Sequence, residues 1–282
     1  MSSVRATIAT VWLGFYHDVA WTNPLAGVLV TTISPISAAL TTSIIFWLGS
    51  TLPGGTGLLD PTRLAFVLVG AILYTHTAAY AWVPTQAIAE GKNLSVFPHV
   101  YITPRSSALY VAGRAFAAFM LSGLATVVAL ASAWLILGAI LHVTIPLTVT
   151  PLTAALFGLA LVVNLPGALG LGYLLGAYTL FASKFEWALP GYVAGLLMVF
   201  SGALFPVTVL PGGLATAAAA LPFTNFIDAA RDAIVYNSPG AWATAIGYTL
   251  AGDAVFLLGG LAVYRWAEKR ARREGVIDRR LA

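Results

Sequence analysis

The sequence predicts an all-α polytopic membrane protein with six transmembrane helices, an N-terminal interfacial amphipathic helix and a re-entrant extracellular helical segment before the last span. Of the 282 residues, 59% are hydrophobic and only 9% are charged, whereas about 25% of residues are charged in a soluble globular domain. Lysine and arginine also collect on one side of the predicted crossings. A water-soluble fold would need more polar surface, so we expect the apolar residues to face lipid. Residues 1–282 are predicted to form a single transmembrane domain.

Residues 2–22 predict a helix that lies flat in the membrane interface. Its apolar residues recur at helical spacing on one face, and its polar and small residues occupy the other. The apolar face holds Val4, Ile8, Val11, Trp12, Phe15 and Val19, and the polar face holds Ser3, Thr7, Thr10, Gly14, His17 and Asp18. The alternative is a helix packed on a soluble core, but no such core is predicted elsewhere in the chain.

Six apolar segments are each long enough to cross a bilayer, for which about 20 residues suffice. They are predicted at residues 25–49, 63–88, 108–141, 152–181, 188–209 and 241–264. Asn23 and Pro24 are typical of a helix start, and Ser106 or Ser107 can cap the third span. Pro35 lies inside the first span and predicts a kink there.

The other segments are predicted not to cross. Residues 89–107 are the most polar internal stretch and predict a cytoplasmic loop between the second and third spans. Residues 210–239 are apolar but interrupted by proline and glycine, which predicts one or two short helices that dip into the interface. Residues 265–282 form a basic tail that is predicted to be solvated on the cytoplasmic side.

The positive charges predict the orientation. With the N-terminus inside, six crossings leave only Arg63 and Arg231 outside, so twelve of the 14 Lys and Arg residues fall on the cytoplasmic side. Cytoplasmic loops are enriched in these residues. Both termini are therefore predicted to be cytoplasmic, with the chain in the cell (plasma) membrane. The basic tail is more typical of an anchor beside anionic lipid than of a nucleic-acid patch, so lipid is expected as a partner and nucleic acid is not.

Motifs for covalent chemistry are missing from the sequence. The chain has no cysteine, which excludes disulfides, cysteine metal sites and thiol nucleophiles. Gly91-Lys92 lacks the upstream glycine and the following hydroxyl of a phosphate-binding loop. The four histidines are scattered and form no HExxH pair. We therefore predict no enzyme activity, no metal and no cofactor in this chain.

Four residues are candidates for a translocation path. His76 and Asp253 lie inside predicted spans, where a charge costs roughly 2.5–3.5 kcal/mol on insertion scales. Each should therefore face protein or a cavity, either as a substrate or proton contact or as a hydrogen-bonded lock between helices. Phe200 and Phe205 lie in or near the fifth span, where aromatic rings suit a hydrophobic cargo or plain packing. The side chain of Asn164 is predicted to form a hydrogen bond to a neighbouring helix.

Several stretches carry a family resemblance. They are Ala89-Glu90-Gly91-Lys92-Asn93-Leu94, Tyr101-Ile102-Thr103-Pro104-Arg105-Ser106, Gly113-Arg114, Leu204 to Pro211, Leu221-Pro222-Phe223-Thr224 and Asp228-Ala229-Ala230-Arg231. In their order and spacing they resemble the permease subunits of type-2 ABC transporters, over essentially the whole chain. The family often has two acidic residues flanking an arginine before the glycine, whereas Ile88-Ala89-Glu90 supplies one acidic residue.

The resemblance implies a function and partners. Glu90, Gly91, Lys92, Asn93 and Leu94 would couple the chain to a separate ATP-binding cassette subunit, which carries ATP and Mg²⁺ and drives export. A second permease subunit, as a homodimer, is implied as well. The expected substrate is a hydrophobic or amphipathic molecule, such as a drug or a lipid-linked compound.

Two other functions stay open at the level of sequence. One is a secondary carrier, or another multi-spanning transporter, that works without an ATPase and depends on Asp253. The other is a structural or enzyme-anchoring membrane protein with a different partner.

Overall fold

The computed structural model describes residues 3–16, 19, 23–51, 60–93, 99–100, 106–142, 144–182 and 188–275. The helices are α1 Ser3–Phe15, α2 Pro24–Thr51, α3 Pro61–Asn93, α4 Ala108–Leu141, α5 Pro151–Val163, α6 Leu165–Phe181, α7 Ala188–Phe200, α8 Gly212–Ala219, α9 Pro222–Ile234 and α10 Pro239–Glu274, with a 3-10 turn at Val207–Val209. No β-strand occurs within these ranges. The predicted all-α class is therefore confirmed for this part of the chain.

Within the described residues, five apolar segments are long enough to cross a membrane. They are Leu25–Ser50, Pro61–Asn93, Ala108–Ile140, Pro151–Phe181 and Pro239–Glu274. Segments of this length and composition indicate a membrane-embedded, multi-pass protein. The fourth of them bends, because its helix is interrupted at Asn164 between α5 and α6. This break lies just before Pro166, which has no N–H for an intrahelical bond.

Two helices extend beyond their predicted ends. α3 continues through Asn93, so residues 89–93 form its last turn rather than a loop. α10 continues to Glu274 and ends where Gly275 adopts a left-handed φ of 63°, a common way to end a helix. The first half of the basic tail is therefore helical, and Glu268 within it is buried rather than solvated.

The fifth predicted span, 188–209, is not one continuous helix. α7 has only 13 residues, which at 1.5 Å per residue is about 20 Å. A bilayer core is about 30 Å thick. The helix ends at Phe200, and Gly202 then adopts a left-handed φ of 68°, which does not continue an α-helix. Two short helices, α8 and α9, follow where the sequence predicts short helices.

Contacts along α3, α6 and α10 show that these three helices run parallel. Gly167 of α6 lies against Asp253 of α10, and Gly176, farther along α6, lies against Tyr264. Gly176 also lies against Ile88 of α3, and the end of α3 reaches the end of α6. α6 and α10 approach closely through glycine, since a β-carbon at Gly260 would collide with the α6 backbone, as is common for helices packed in membranes.

The remaining long helices run the other way. α4 is antiparallel to α3, since Tyr80 contacts Phe119 while Glu90, farther along α3, contacts Arg114 farther back on α4. The early turns of α2 face the second half of α3, and Phe46 faces the first. These directions alternate along the chain, as in a repeatedly threaded bundle.

Because α6 and α10 are parallel, the chain must return between them. α7 makes part of this return antiparallel to α3, with Gly191 near Trp82 and Ala203 against Gly70. The return is completed by the 3-10 turn, α8 and α9 rather than by a single long helix.

α1 crosses the first half of α4 through small residues. A β-carbon at Gly113 would collide with Thr10, and one at Gly14 would lie 2.9 Å from Ala117. The packed face of α1 is therefore its polar and small face. Ile8 and Trp12 on the apolar face are exposed, which fits a helix whose apolar side meets lipid better than one that covers a core.

Candidate functional site

A cavity of about 540 Å³ lies between α2, α3 and α4. Its size falls in the range of small-molecule sites, about 300–1,000 Å³. α2 contributes the turn around Pro35, where a proline interrupts the helical hydrogen bonds. α3 contributes the stretch from Tyr74 to Gln86, and α4 contributes residues from Ala118 to Thr126.

His76 lies midway along α3 in the wall of this cavity. Its side chain is 1% exposed, and its Nε2 lies 3.1 Å from the hydroxyl of Tyr80. The ring also packs against Phe119 and Phe226, with centroids 5.9 and 6.1 Å away. His76 thus lies buried in the wall of the cavity, and its role as a translocation-path residue or as a lock between helices stays a prediction.

The other polar groups of the cavity are neutral. The hydroxyls of Thr31, Thr75 and Thr126 donate to carbonyls of their own helices at 2.7 Å, so their oxygens keep lone pairs for an acceptor role. Gln86 is exposed at one end. None of the described residues that line the cavity is Asp, Glu, Lys or Arg.

Asp253 lies elsewhere, where α10 meets the first turn of α6. It is 1% exposed, and a β-carbon at Gly167 would collide with its carboxylate. Asn164, at the α5–α6 break, is fully buried. The polar atoms of the Asn164 side chain have no hydrogen-bond partner within the described ranges, whereas the Asp253 carboxylate faces the backbone amide of Gly167. The helix-to-helix hydrogen bond predicted for Asn164 is therefore wrong in this structure.

Phe200 and Phe205 lie in a third place. Phe200 ends α7, and its carbonyl accepts a hydrogen bond from the Thr224 hydroxyl at 3.0 Å. Phe205 lines a second cavity of about 370 Å³, together with Phe46 and Tyr236. The four predicted path residues are thus not brought together. Only His76 belongs to the larger cavity.

The sequence interpretation missed a buried arginine. It treated Arg231 only as a charge outside the membrane, yet the side chain is 1% exposed on α9. Its guanidinium donates to the carbonyls of Gly202, Ala203 and Phe66 at 2.9, 2.7 and 3.1 Å. It pairs with Asp228 at 3.3 Å. Burial lowers the pKa of Arg231 to about 10, so the group stays charged at neutral pH.

These bonds make Arg231 the link between α9, the turn after α7 and the start of α3. Its guanidinium also lies 3.3 Å from the ring centroid of Phe66. Gly70 must be glycine here, because a β-carbon would collide with Ala203 and with Arg231. Arg231, flanked by Asp228 and Asp232 in a largely apolar stretch before the last span, is the sequence signal that could have indicated such a role.

The predicted coupling residues divide into buried and exposed groups. Lys92 is 5% exposed, and its ammonium donates to the carbonyls of Thr179 and Leu180 at 2.9 and 2.6 Å. These carbonyls belong to the end of α6, where a positive charge is favourable. Lys92 therefore fastens α3 to α6 and is not free for an external contact.

The neighbours of Lys92 in the sequence differ from one another in exposure. Gly91 is buried, whereas Asn93 is exposed. The Glu90 side chain is 42% exposed and lies 3.6 Å from the buried guanidinium of Arg114. Leu94 lies outside the described residues. Only Glu90 and Asn93 of the described coupling residues offer surface.

Glu268 of α10 completes this end of the bundle. Its carboxylate accepts hydrogen bonds from the Ser107 amide at 3.1 Å and from the Ser106 hydroxyl at 2.9 Å. Arg272 pairs with it at 3.1 Å. Ser106 also accepts from the Ala108 amide at 3.2 Å. Of the two serines predicted as caps of α4, Ser106 is therefore the one whose side chain accepts from a backbone amide, that of Ala108. The amide of Ser107 donates to Glu268 instead.

Comparisons with known proteins do not assign the chain to a family: no protein-family model matches it, and no curated protein matches it.

Proposed function

We propose that the chain is the transmembrane permease subunit of an ATP-driven ABC exporter, which moves a hydrophobic or amphipathic substrate out of the cell. It crosses the cell membrane six times with both termini in the cytoplasm. The alternating helix directions support six passages, with α7 and the segment after it as the fifth. α8 and α9 form the re-entrant segment before the last passage.

One observation carries this proposal: the end of α3 is joined to two other helices. Lys92 binds the end of α6 at 2.6–2.9 Å, and Glu90 pairs with Arg114 of α4. A partner that pushed on this end would move three helices as a body, which is how a rigid-body transition is driven. Glu90 and Asn93 supply the exposed surface for an ATP-binding subunit, and ATP and Mg²⁺ belong to that subunit.

The protein works with a second copy of itself, as the resemblance implies. The long helices also expose many apolar side chains, including Leu29, Leu135 and Leu258. Lipid and the second copy share this surface.

Site-specific cross-linking tests the docking surface. The chain has no native cysteine, so single-cysteine variants report one position each. Asn93→Cys is made at the proposed docking end of α3 and Thr62→Cys at the opposite end, both at exposed positions. Each variant is cross-linked in native membranes, and captured proteins are identified by mass spectrometry.

The proposal predicts that Asn93→Cys captures a subunit that has a phosphate-binding loop and hydrolyses ATP, and that Thr62→Cys does not. Capture of such a subunit by neither variant, or by Thr62→Cys alone, would contradict it. A further check is ATP hydrolysis by the complex, which should fall when Glu90 and Asn93 are both replaced by alanine.

A specific observation favours a second candidate, the secondary carrier. Asp253 is buried and forms no ion pair within the described ranges, and intramembrane acids of this kind mark ion and proton pathways. This candidate predicts that the purified chain in proteoliposomes moves substrate on an ion gradient without ATP, and that Asp253→Asn abolishes this movement. An ATP requirement would exclude it.

A further inference from the structure

The wall of the α2–α3–α4 cavity has a distinct distribution of polar groups. Along α3, the lining stretch from Tyr74 to Gln86 is about 18 Å long at 1.5 Å per residue. His76 lies near one end of this stretch and Gln86 at the other. Ala79, Val83 and other apolar residues lie between them. Hydroxyl groups of Ser34, Ser122 and three threonines also line the cavity, so its wall combines apolar surface with neutral polar groups.

The electrostatic environment of the cavity disfavours a charged ligand. No described lining residue is ionised, and the buried imidazole of His76 packs against aromatic rings, with a hydroxyl and no carboxylate beside it. A buried charge without a partner is costly. A charged ligand would lose its hydration here and gain no counter-ion.

Specific hydrogen-bonding groups remain unused. The amide of Gln86 and the hydroxyl of Ser34 are exposed to the cavity, and no described residue bonds them. These groups can bind neutral donors and acceptors.

We infer that this cavity binds an uncharged, elongated amphipathic molecule, with neutral hydrogen-bonding groups that meet Ser34 and Gln86 and an apolar body that packs on Ala79 and Val83. This assignment names the substrate class of the proposed transporter and rests on that function for its meaning. It excludes permanently charged cations and anions as ligands of the cavity.

Equilibrium binding to the full chain in lipid nanodiscs tests the inference. Three aromatic probes differ in charge: N-phenyl-1-naphthylamine is neutral, 8-anilinonaphthalene-1-sulfonate has the same skeleton with a negative charge, and tetraphenylphosphonium is positive. Ala79→Trp fills the cavity from α3. Ala131→Trp places the same side chain on an exposed position of α4 outside the cavity, and it controls for partition into lipid and for added aromatic surface.

The expected result is a saturable component of N-phenyl-1-naphthylamine binding that is at least about tenfold weaker in Ala79→Trp, a change of about 1.4 kcal/mol, and unchanged in Ala131→Trp. Neither charged probe should have a component that Ala79→Trp removes. If Ala79→Trp does not fold, Ala79→Leu gives a smaller obstruction and should weaken binding in the same direction.

Two outcomes would overturn the inference. One is saturable binding of a charged probe that Ala79→Trp abolishes. The other is the absence of any saturable binding of the neutral probe in the unaltered chain. The cross-linking experiment at Asn93 tests the proposed function and uses no ligand, whereas the binding experiment tests the cavity. Failure of the proposed function can therefore be distinguished from failure of this inference.

Discussion

The ends of this bundle and its middle treat buried polar groups in opposite ways. At one end Lys92 and Glu268 each have several partners, and at the other end Arg231 has four. In the middle, the Asn164 side chain has no hydrogen-bond partner and Asp253 forms no ion pair within the described ranges. Partnered groups at the ends fix helix termini and turns. The groups in the middle have fewer such partners, which leaves them available for ligands, protons or ions.

The largest expected effect is at Arg231. Arg231→Ala removes a charged donor from three buried carbonyls, and such bonds are worth about 1.5–3 kcal/mol each. The free energy of unfolding in detergent should fall by more than about 3 kcal/mol, measured by denaturation with SDS. Arg63→Ala is the control, because its side chain is 72% exposed, and it should change the value by less than about 0.5 kcal/mol. Equal effects of the two substitutions would show that Arg231 does not hold this end together.

Lys92 distinguishes a structural role from a docking role. Lys92→Met keeps the aliphatic stem but leaves the end of α6 without its cation, so we expect a loss of about 1.5–3 kcal/mol in the free energy of unfolding of the isolated chain. Lys269→Met, at an exposed position of α10, should be nearly neutral. If the isolated Lys92→Met variant were as stable as the unaltered chain, the structural role of Lys92 would be contradicted. Lys92 would then again be a candidate for the docking surface.

Adjacent glycines test whether the middle is held by close helix packing. A β-carbon at Gly260 would collide with the backbone of Gly170, whereas one at Gly259 would meet nothing within 4 Å. Gly260→Ala should therefore destabilise by about 1–3 kcal/mol, and Gly259→Ala should be neutral or slightly stabilising, since alanine is the better helix former. Thermal unfolding of both variants makes the comparison; the reverse order would refute the α6–α10 packing.

Asp253 should behave unlike the partnered groups at the ends. Asp253→Asn keeps a side-chain oxygen that can face the Gly167 backbone, so the free energy of unfolding should change by less than about 1 kcal/mol. A loss as large as that expected for Lys92→Met would identify Asp253 as a lock between helices and remove the contrast between the two regions.

The smallest expected effect is a pH dependence near Arg231. Burial and the neighbouring Asp228 carboxylate raise the pKa of Asp232 from 3.8 to about 6. The folded protein thus holds this proton more tightly than the unfolded chain, and the free energy of unfolding should fall slightly as pH rises from about 4 to about 6, then level off. Asp232→Asn should reduce this slope. Asp228, whose pKa burial also raises, leaves a residual slope of the same sign, and an unchanged slope in Asp232→Asn would contradict the assignment.

Much of the fold could be predicted from the sequence, because the length and apolar composition of a helix are local properties of the chain. The range 108–141 coincides with α4, and the other long helices overlap their predicted ranges, although α3 and α10 end later than predicted. The break after Phe200 was missed because apolar residues continue past it. The end of α3 was placed too early because polarity at Glu90 and Lys92 was taken as the mark of a loop, whereas both side chains have partners on neighbouring helices.

Partners distant in sequence account for the rest. Arg231 binds the carbonyl of Phe66, 165 residues away, and Glu268 binds the amide of Ser107, 161 residues away. Backbone groups of this kind leave no pattern in the side chains. The cavity around His76 was equally hidden, since its wall is assembled from three helices.

The most direct test of the central claim is side-specific labelling of α3 in intact cells. Single cysteines at Thr62, Asn93 and Arg273 are treated with a membrane-impermeant maleimide before and after permeabilisation. A bundle threaded as proposed predicts that Thr62→Cys is labelled in intact cells, and that Asn93→Cys and Arg273→Cys are labelled only after permeabilisation. Labelling of Asn93→Cys from outside, or of Asn93→Cys and Arg273→Cys from opposite sides, would contradict both the threading and the proposed docking end.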